Sequence, residues 1–193
     1  MARFATSSAR SRPSLELPRR ALVLALFGVA LGCAHPLPDE PEAPGPRSQP
    51  VRFAFGTTEG ELFDSSSTRG RSTAILFVTT FDLASQAQAR LLNEVLREHT
   101  PRANGGAVVL EPPKHRVLAE AFRTSLNLRY PVALANPDTL NGSGPFGRLE
   151  GVPTLVVLDR EGRPVFRSTG AVSKKVMDAA LGAADAGRVL PNP

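Results

Sequence analysis

Few side chains in this sequence are equipped for covalent chemistry. There is one cysteine, Cys33, and there are three histidines, His35, His99 and His115. A carboxylate and a hydroxyl stand three residues apart in Asp82-Leu83-Ala84-Ser85, where an apolar run gives way to a helical pattern. A group placed there sits at a helix N-terminus, where the dipole stabilises an anion. A cysteine in such a place becomes a low-pKa nucleophile. An aspartate has a plainer use, because Asp is among the residues favoured as a helix cap. Ser85 with Gln88 three residues on offers a capping box as the other way to begin the helix. A catalytic Asp82 would need a partner. His99 lies at the far end of the helix that Asp82 begins, and His115 follows Pro112-Pro113-Lys114 at a helix start, where exposure is expected. Three histidines and one cysteine give no metal-ligand spacing. There is no Gly-x-Ser-x-Gly elbow and no Walker loop, and nothing calls for a cofactor.

The formal net charge of +5 is unevenly placed. Arg3, Arg10, Arg12, Arg19 and Arg20 against Glu16 give +4 before residue 21, which leaves about +1 for the rest. That remainder is no electrostatic footprint for nucleic acid. The basic arm runs into Ala21–Leu31, eleven apolar residues. A bilayer span needs about 20, so the run fits the core of a secretory signal peptide instead.

Val29-Ala-Leu-Gly-Cys33 comes next and resembles a bacterial lipobox, with Ala at position 30 where Leu is commoner. The resemblance implies a signal peptide over 1–32, acylation of Cys33, and a lipid-anchored protein in the bacterial envelope with its domain in the periplasm. Several acyl chains would hold it stably on the membrane. A lipidated Cys33 leaves no free thiol in the mature chain. Residues 33–50 then form a tether: Ala34–Pro50 holds six prolines in 17 residues. At about 3.1 Å per residue such an extended spacer reaches roughly 50 Å. His35 falls in it and is read as solvated.

The remaining elements must position Asp82–Ser85. Val51–Asp64 alternates through Phe53 and Phe55, turns at Thr57–Gly60, and resumes at Leu62 and Phe63, which predicts a hairpin. A polar loop, Ser65–Arg71, comes after it. Ala74–Thr80 is an apolar run of strand length, buried on both faces. Leu91, Leu92, Val95 and Leu96 mark the next helix, and Pro101 with Gly105-Gly106 is read as closing that unit. Ala107–Leu110 is a second buried strand. Lys114–Leu126 predicts a helix with Val117, Leu118, Ala121 and Phe122 on its inner face. Tyr130–Ala135 reads as an extended segment before a loop or short helix over Asn136–Glu150. Thr154–Asp159 and Pro164–Ser168 predict a second hairpin, with Pro164 at a sheet edge because it lacks a donor. Ser173–Ala183 predicts a closing helix with Val176, Ala180 and Leu181 inward, and 186–193 a frayed tail. Tyr130 and the phenylalanines are read as packing. This order predicts an α/β domain over 51–185 with a mixed central sheet and helices on both faces.

The strand-to-helix junction at Phe81, with Gly151-Val-Pro-Thr154, the turn Leu158-Asp-Arg-Glu-Gly162 and Gly170, resembles the thioredoxin-like superfamily. The likeness runs from about Phe53 to Leu181 and is nearest to membrane-anchored thiol-disulfide reductases and AhpC/TSA-type peroxiredoxin relatives. It implies a three-layer α/β/α domain with an N-terminal β-hairpin. It also implies an active-site turn at Asp82, Leu83, Ala84 and Ser85, and a cis-proline at Pro153 facing that turn. The groove between Phe81–Asp82 and Val152–Pro153 would then take an extended peptide or a partner protein. In the family the turn carries Cys-x-x-Cys or one peroxidatic Cys. Here it carries Asp82 and Ser85, which cannot form a disulfide or reduce peroxide. The expectation is a redox-inactive binding or scaffolding module. The competing expectation is an oxidoreductase or peroxiredoxin-like enzyme that borrows a partner's thiol.

Overall fold

The structure is a computed structural model and describes residues 49–191. The expected leader, Cys33, His35 and all but the end of the tether lie outside these residues. The chain opens with a hairpin, β1 (Ala54–Gly56) against β2 (Leu62–Asp64), with Phe55 opposite Phe63. The polar segment after it coils into a short helix, α1 (Ser65–Thr68), because Asp64 caps it by accepting from the Ser66 and Ser67 N–H groups.

Strand β3 (Ser72–Val78) is buried along its whole length, as its apolar composition requires. It pairs in parallel with β4 (Ala103–Val109) and antiparallel with β6 (Thr154–Leu158). β5 (Val132–Leu134) lies beyond β4, and β7 (Pro164–Thr169) beyond β6. The sheet order is therefore β5-β4-β3-β6-β7. Pro164 stands on an edge strand, where its missing donor costs nothing.

The segment expected to lead into a loop is thus a sheet strand, β5. It is held by Tyr130, whose hydroxyl donates to the Ala89 carbonyl at 2.8 Å in a buried setting that pushes the phenol pKa up. Gly105 and Gly106 do not close the preceding unit. They lie inside β4, because β-carbons there would collide with Leu96 on one face and Phe63 on the other. Their smallness admits the elements that cover the sheet.

Alternation along the strands divides the core. Ala74, Leu76 and Val78 of β3 face three long helices: α2 (Leu83–His99), α3 (Arg116–Ser125) and α5 (Lys174–Asp185). Ile75 and Phe77 face the other side, where Phe53, Phe55, Phe63 and Phe146 pack. Ring centroids in that group lie between 5.2 and 6.5 Å apart. The outer layers are unequal: the second side is covered by the hairpin and by the stretch beyond the short helix α4 (Pro137–Leu140), not by a second set of long helices.

α3 starts later than expected, after a 3₁₀ turn at Pro113–His115, and turns a different face inward. Ala119 and Phe122 are buried, whereas Val117, Leu118 and Ala121 are exposed. Its apolar arc is wider than the short edge strand β5 beneath it can cover. In α5, Ser173 caps the helix, and Met177, Ala180, Leu181, Ala183 and Ala184 are buried, with Val176 only partly so.

A Gly106→Val substitution places a branched side chain 2.6 Å or closer to the Phe63 ring unless the hairpin moves. Overpacking of this kind costs about 1–3 kcal/mol. The expected result in urea unfolding is a lower midpoint at an unchanged slope.

Candidate functional site

The β3 strand ends at Val78, and the next four residues must turn into α2 without leaving buried backbone groups unpaired. Side chains supply the partners. The Thr79 N–H donates to Ser85 Oγ at 3.4 Å. The Thr80 N–H and hydroxyl both donate to Glu111 Oε1, at 2.8 and 2.5 Å. The Gln86 amide donates to the Thr80 carbonyl at 3.0 Å. Asp82 then caps α2, its Oδ2 accepting from the Ser85 N–H and from the Ser85 hydroxyl, each at 2.7 Å.

The capping box of Ser85 with Gln88 does not form. Asp82 stands immediately before the first helical residue and reaches the N3 amide, which is the better geometry for a cap. Gln88 is buried and donates to the Val172 carbonyl at 2.8 Å, tying α2 to the segment that leads into α5. Two hydrogen bonds from Ser85, the hydroxyl contributing most, hold the Asp82 carboxyl below the usual aspartate range.

The expected site residues divide sharply by exposure. Ser85 is fully buried, Asp82 and Ala84 are half-buried, and Phe81 and Leu83 are each 78% exposed. Phe81 forms a shallow apolar depression with Leu118, Ala121 and Phe122 of α3. Thr154 pairs with Phe77, so Val152 and Pro153 arrive on the strand beside β3, at the end where the Asp82 turn emerges. The Val152–Pro153 bond is cis. Pro153 is buried and its carbonyl accepts from the Gly170 N–H at 2.7 Å, while Val152 is half-buried.

Neither histidine meets Asp82. His99 Nε2 lies 3.2 Å from Asp178 Oδ1. His115 is not simply exposed, because its Nδ1 lies 3.2 Å from Glu111 Oε2. Glu111 is the residue that sequence reasoning missed. It is 4% exposed and carries both Thr80 and His115, yet nothing local marks it except a charge placed between a buried strand and two prolines. No group of three or more His, Cys, Asp or Glu side chains is placed to hold a metal among the described residues.

No protein-family model matches the sequence, and a search of curated proteins returns no match. Solved structures do match the architecture. One is a thiol:disulfide interchange protein of the thioredoxin family from Chlorobium tepidum, at TM-score 0.60 and 23% identity, over 74% of this chain and 99% of that one. The fold is thioredoxin-like. A secreted Mycobacterium tuberculosis disulfide oxidoreductase matches at TM-score 0.57 and 18% identity, over 68% of this chain and 95% of its own. StoA from Bacillus subtilis matches at 0.55 and 19%, over 69% and 98%. In the thioredoxin-like domain described here, the carboxyl and hydroxyl of Asp82 and Ser85 occupy the strand-to-helix turn and are bonded to each other.

Two substitutions test how the turn is held. Glu111→Leu strands the Thr80 donors in a buried setting and is expected to cost about 1–3 kcal/mol in chemical unfolding. Asp82→Ala removes the cap and is expected to cost about 1 kcal/mol near neutral pH. A carboxyl whose folded pKa is depressed stabilises the fold above its unfolded pKa, near 4, and loses that contribution as pH falls through the folded value. The gap between wild type and Asp82→Ala should therefore narrow in urea titrations as pH drops below about 4. A gap that widens in acid would contradict the capping account.

Proposed function

We propose that the chain is an envelope lipoprotein, anchored through Cys33, whose thioredoxin-like domain is a redox-inactive binding or scaffolding module for a protein or peptide partner. One observation carries this reading. The side chains at the turn are a carboxylate and a hydroxyl that satisfy each other, 2.7 Å apart, with no sulfur between them. Thiol–disulfide exchange requires an attacking thiolate and a leaving thiolate, and the described residues contain no cysteine.

The surroundings of the turn suit recognition. Phe81 and Leu83 stand out on either side of Asp82. The Val152 N–H and C=O make no hydrogen bond among the described residues, which leaves a backbone edge for an extended segment. An apolar segment laid along this edge would cover Phe81 and the depression toward Leu118. Envelope placement is supported by the lipobox-like Val29–Cys33, and the Mycobacterium tuberculosis neighbour is itself described as secreted. No helix among the described residues is long and apolar enough to cross a membrane.

The second reading is an oxidoreductase or peroxiredoxin-like enzyme that works with a partner's thiol. The names of the structural neighbours favour it, and the atoms at the turn weigh against it.

Restoring the thiols separates the two. The Asp82→Cys/Ser85→Cys double variant is expected to form an intramolecular disulfide and to reduce insulin disulfides, while the wild type does neither. Wild-type turnover with no added thiol protein would overturn the proposal. For the partner, a photoreactive residue at Leu83 in native membranes should give a discrete adduct that a probe at the exposed Gly182 of α5 does not. The same smear from both positions would mean that the turn recognises nothing.

A further inference from the structure

We infer that the pole of the domain opposite the Asp82 turn is a contact surface for the phosphate headgroups of anionic lipids. This rests on the lipid-anchor reading for its orientation and on six arginines for its chemistry. Arg69 and Arg71 lead into β3, and Arg102 leads into β4. Ser72 pairs with Ala103, so Arg71 and Arg102 stand at the starts of adjacent strands. Arg97, near the end of α2, lines one cleft with Arg90, half-way along that helix, and with Arg129 from the segment before β5. All six are exposed, and none has an acidic partner among the described residues.

The acids at this end are already engaged. Glu98 and Asp178 are held by Lys174, which their hydrogen bonds keep firmly protonated. Arg163 lies beside Asp159 and Glu161, and Arg160 holds Asp185. Glu94 is the one acid lining the cleft with the arginines. The surface is therefore positive by pairing, although the chain as a whole is only modestly basic.

The occupant is indicated by where the chain enters. The Val51 N–H donates to the Gly162 carbonyl at 2.8 Å, in the turn between β6 and β7. The Gly70 N–H donates to the Arg160 carbonyl at 2.9 Å in that same turn. The incoming tether and the Arg69–Arg71 segment thus meet at one corner. This is the pole at which the chain enters the domain, and a spacer of roughly 50 Å from an anchor at Cys33 would leave it free to meet the bilayer surface. Nucleic acid is the weaker fit, because single strands are held by aromatic stacking as well as charge. The exposed aromatic among the described residues, Phe81, lies at the other end.

The test uses the full chain as purified from membranes. Intact mass first reads whether Cys33 is lipidated. The protein is then placed in nanodiscs of phosphatidylcholine alone or mixed with phosphatidylglycerol, and amide hydrogen exchange is followed at low salt. Peptides covering 69–73 and 97–104 should exchange several-fold more slowly on the mixed discs, and the protection should fade as salt is added. Each arginine removed should cut it about fivefold, so Arg97→Glu/Arg102→Glu/Arg129→Glu should abolish it. Lys114→Glu/Arg148→Glu should leave it intact. Equal exchange on both discs, or protection that survives the triple variant, would overturn the inference. So would equal protection by inorganic phosphate on phosphatidylcholine discs, which would assign the cleft to a soluble oxyanion. An unmodified Cys33 would defeat the anchor reading alone. The same discs offered to the unanchored chain would still decide the arginines.

Discussion

The central strand β3 is buried on both faces, and this constraint governs every residue that leaves it. A buried backbone cannot give its polar groups to water, so each residue departing from the sheet must find a donor or acceptor in the protein. Leu110 extends the ladder by one bond to Val78. Beyond that, Ser85, Gln86 and Glu111 take over, reaching back from α2 and across from the end of β4. The turn that displays Asp82 is therefore held by side chains from two other elements, which explains how Phe81 and Leu83 can be so exposed on a well-fixed backbone.

A turn without thiols need not be loose. A helix N-terminus favours an anion, and Asp82 supplies one permanently where a thiolate would supply one transiently. Ser85 keeps a small polar group under the first turn of α2 and donates its hydroxyl hydrogen bond to Asp82. Asp82 and Ser85 thus supply the cap and the charge without sulfur.

The two ends of the domain differ in character. At the Asp82 turn Phe81 and Leu83 stand exposed beside an open backbone edge at Val152. At the other end, arginines lead into the strands, and most of the acids are paired away from them. Because β3, β4 and β5 are parallel, all their starts lie at one end and all their exits at the other. Residues distant in sequence are thereby gathered by topology at each end.

By itself the sequence determined the elements whose signals are local. The apolar run of β3, the stripe Leu92–Val95–Leu96 of α2, the two hairpins and the edge position of Pro164 all rest on spacings of two to four residues. The absence of sulfur from the turn is likewise a fact of composition that no folding alters. Other features were decided only in three dimensions. Gly105 and Gly106 read as a break until Leu96 and Phe63 close on them from opposite faces. Val117 and Leu118 read as core until the narrow edge strand β5 leaves them uncovered. Glu111 reads as a stray charge until Thr80, 31 positions earlier, needs an acceptor. In each case the deciding partner lies on another element, and only packing brings the two within reach.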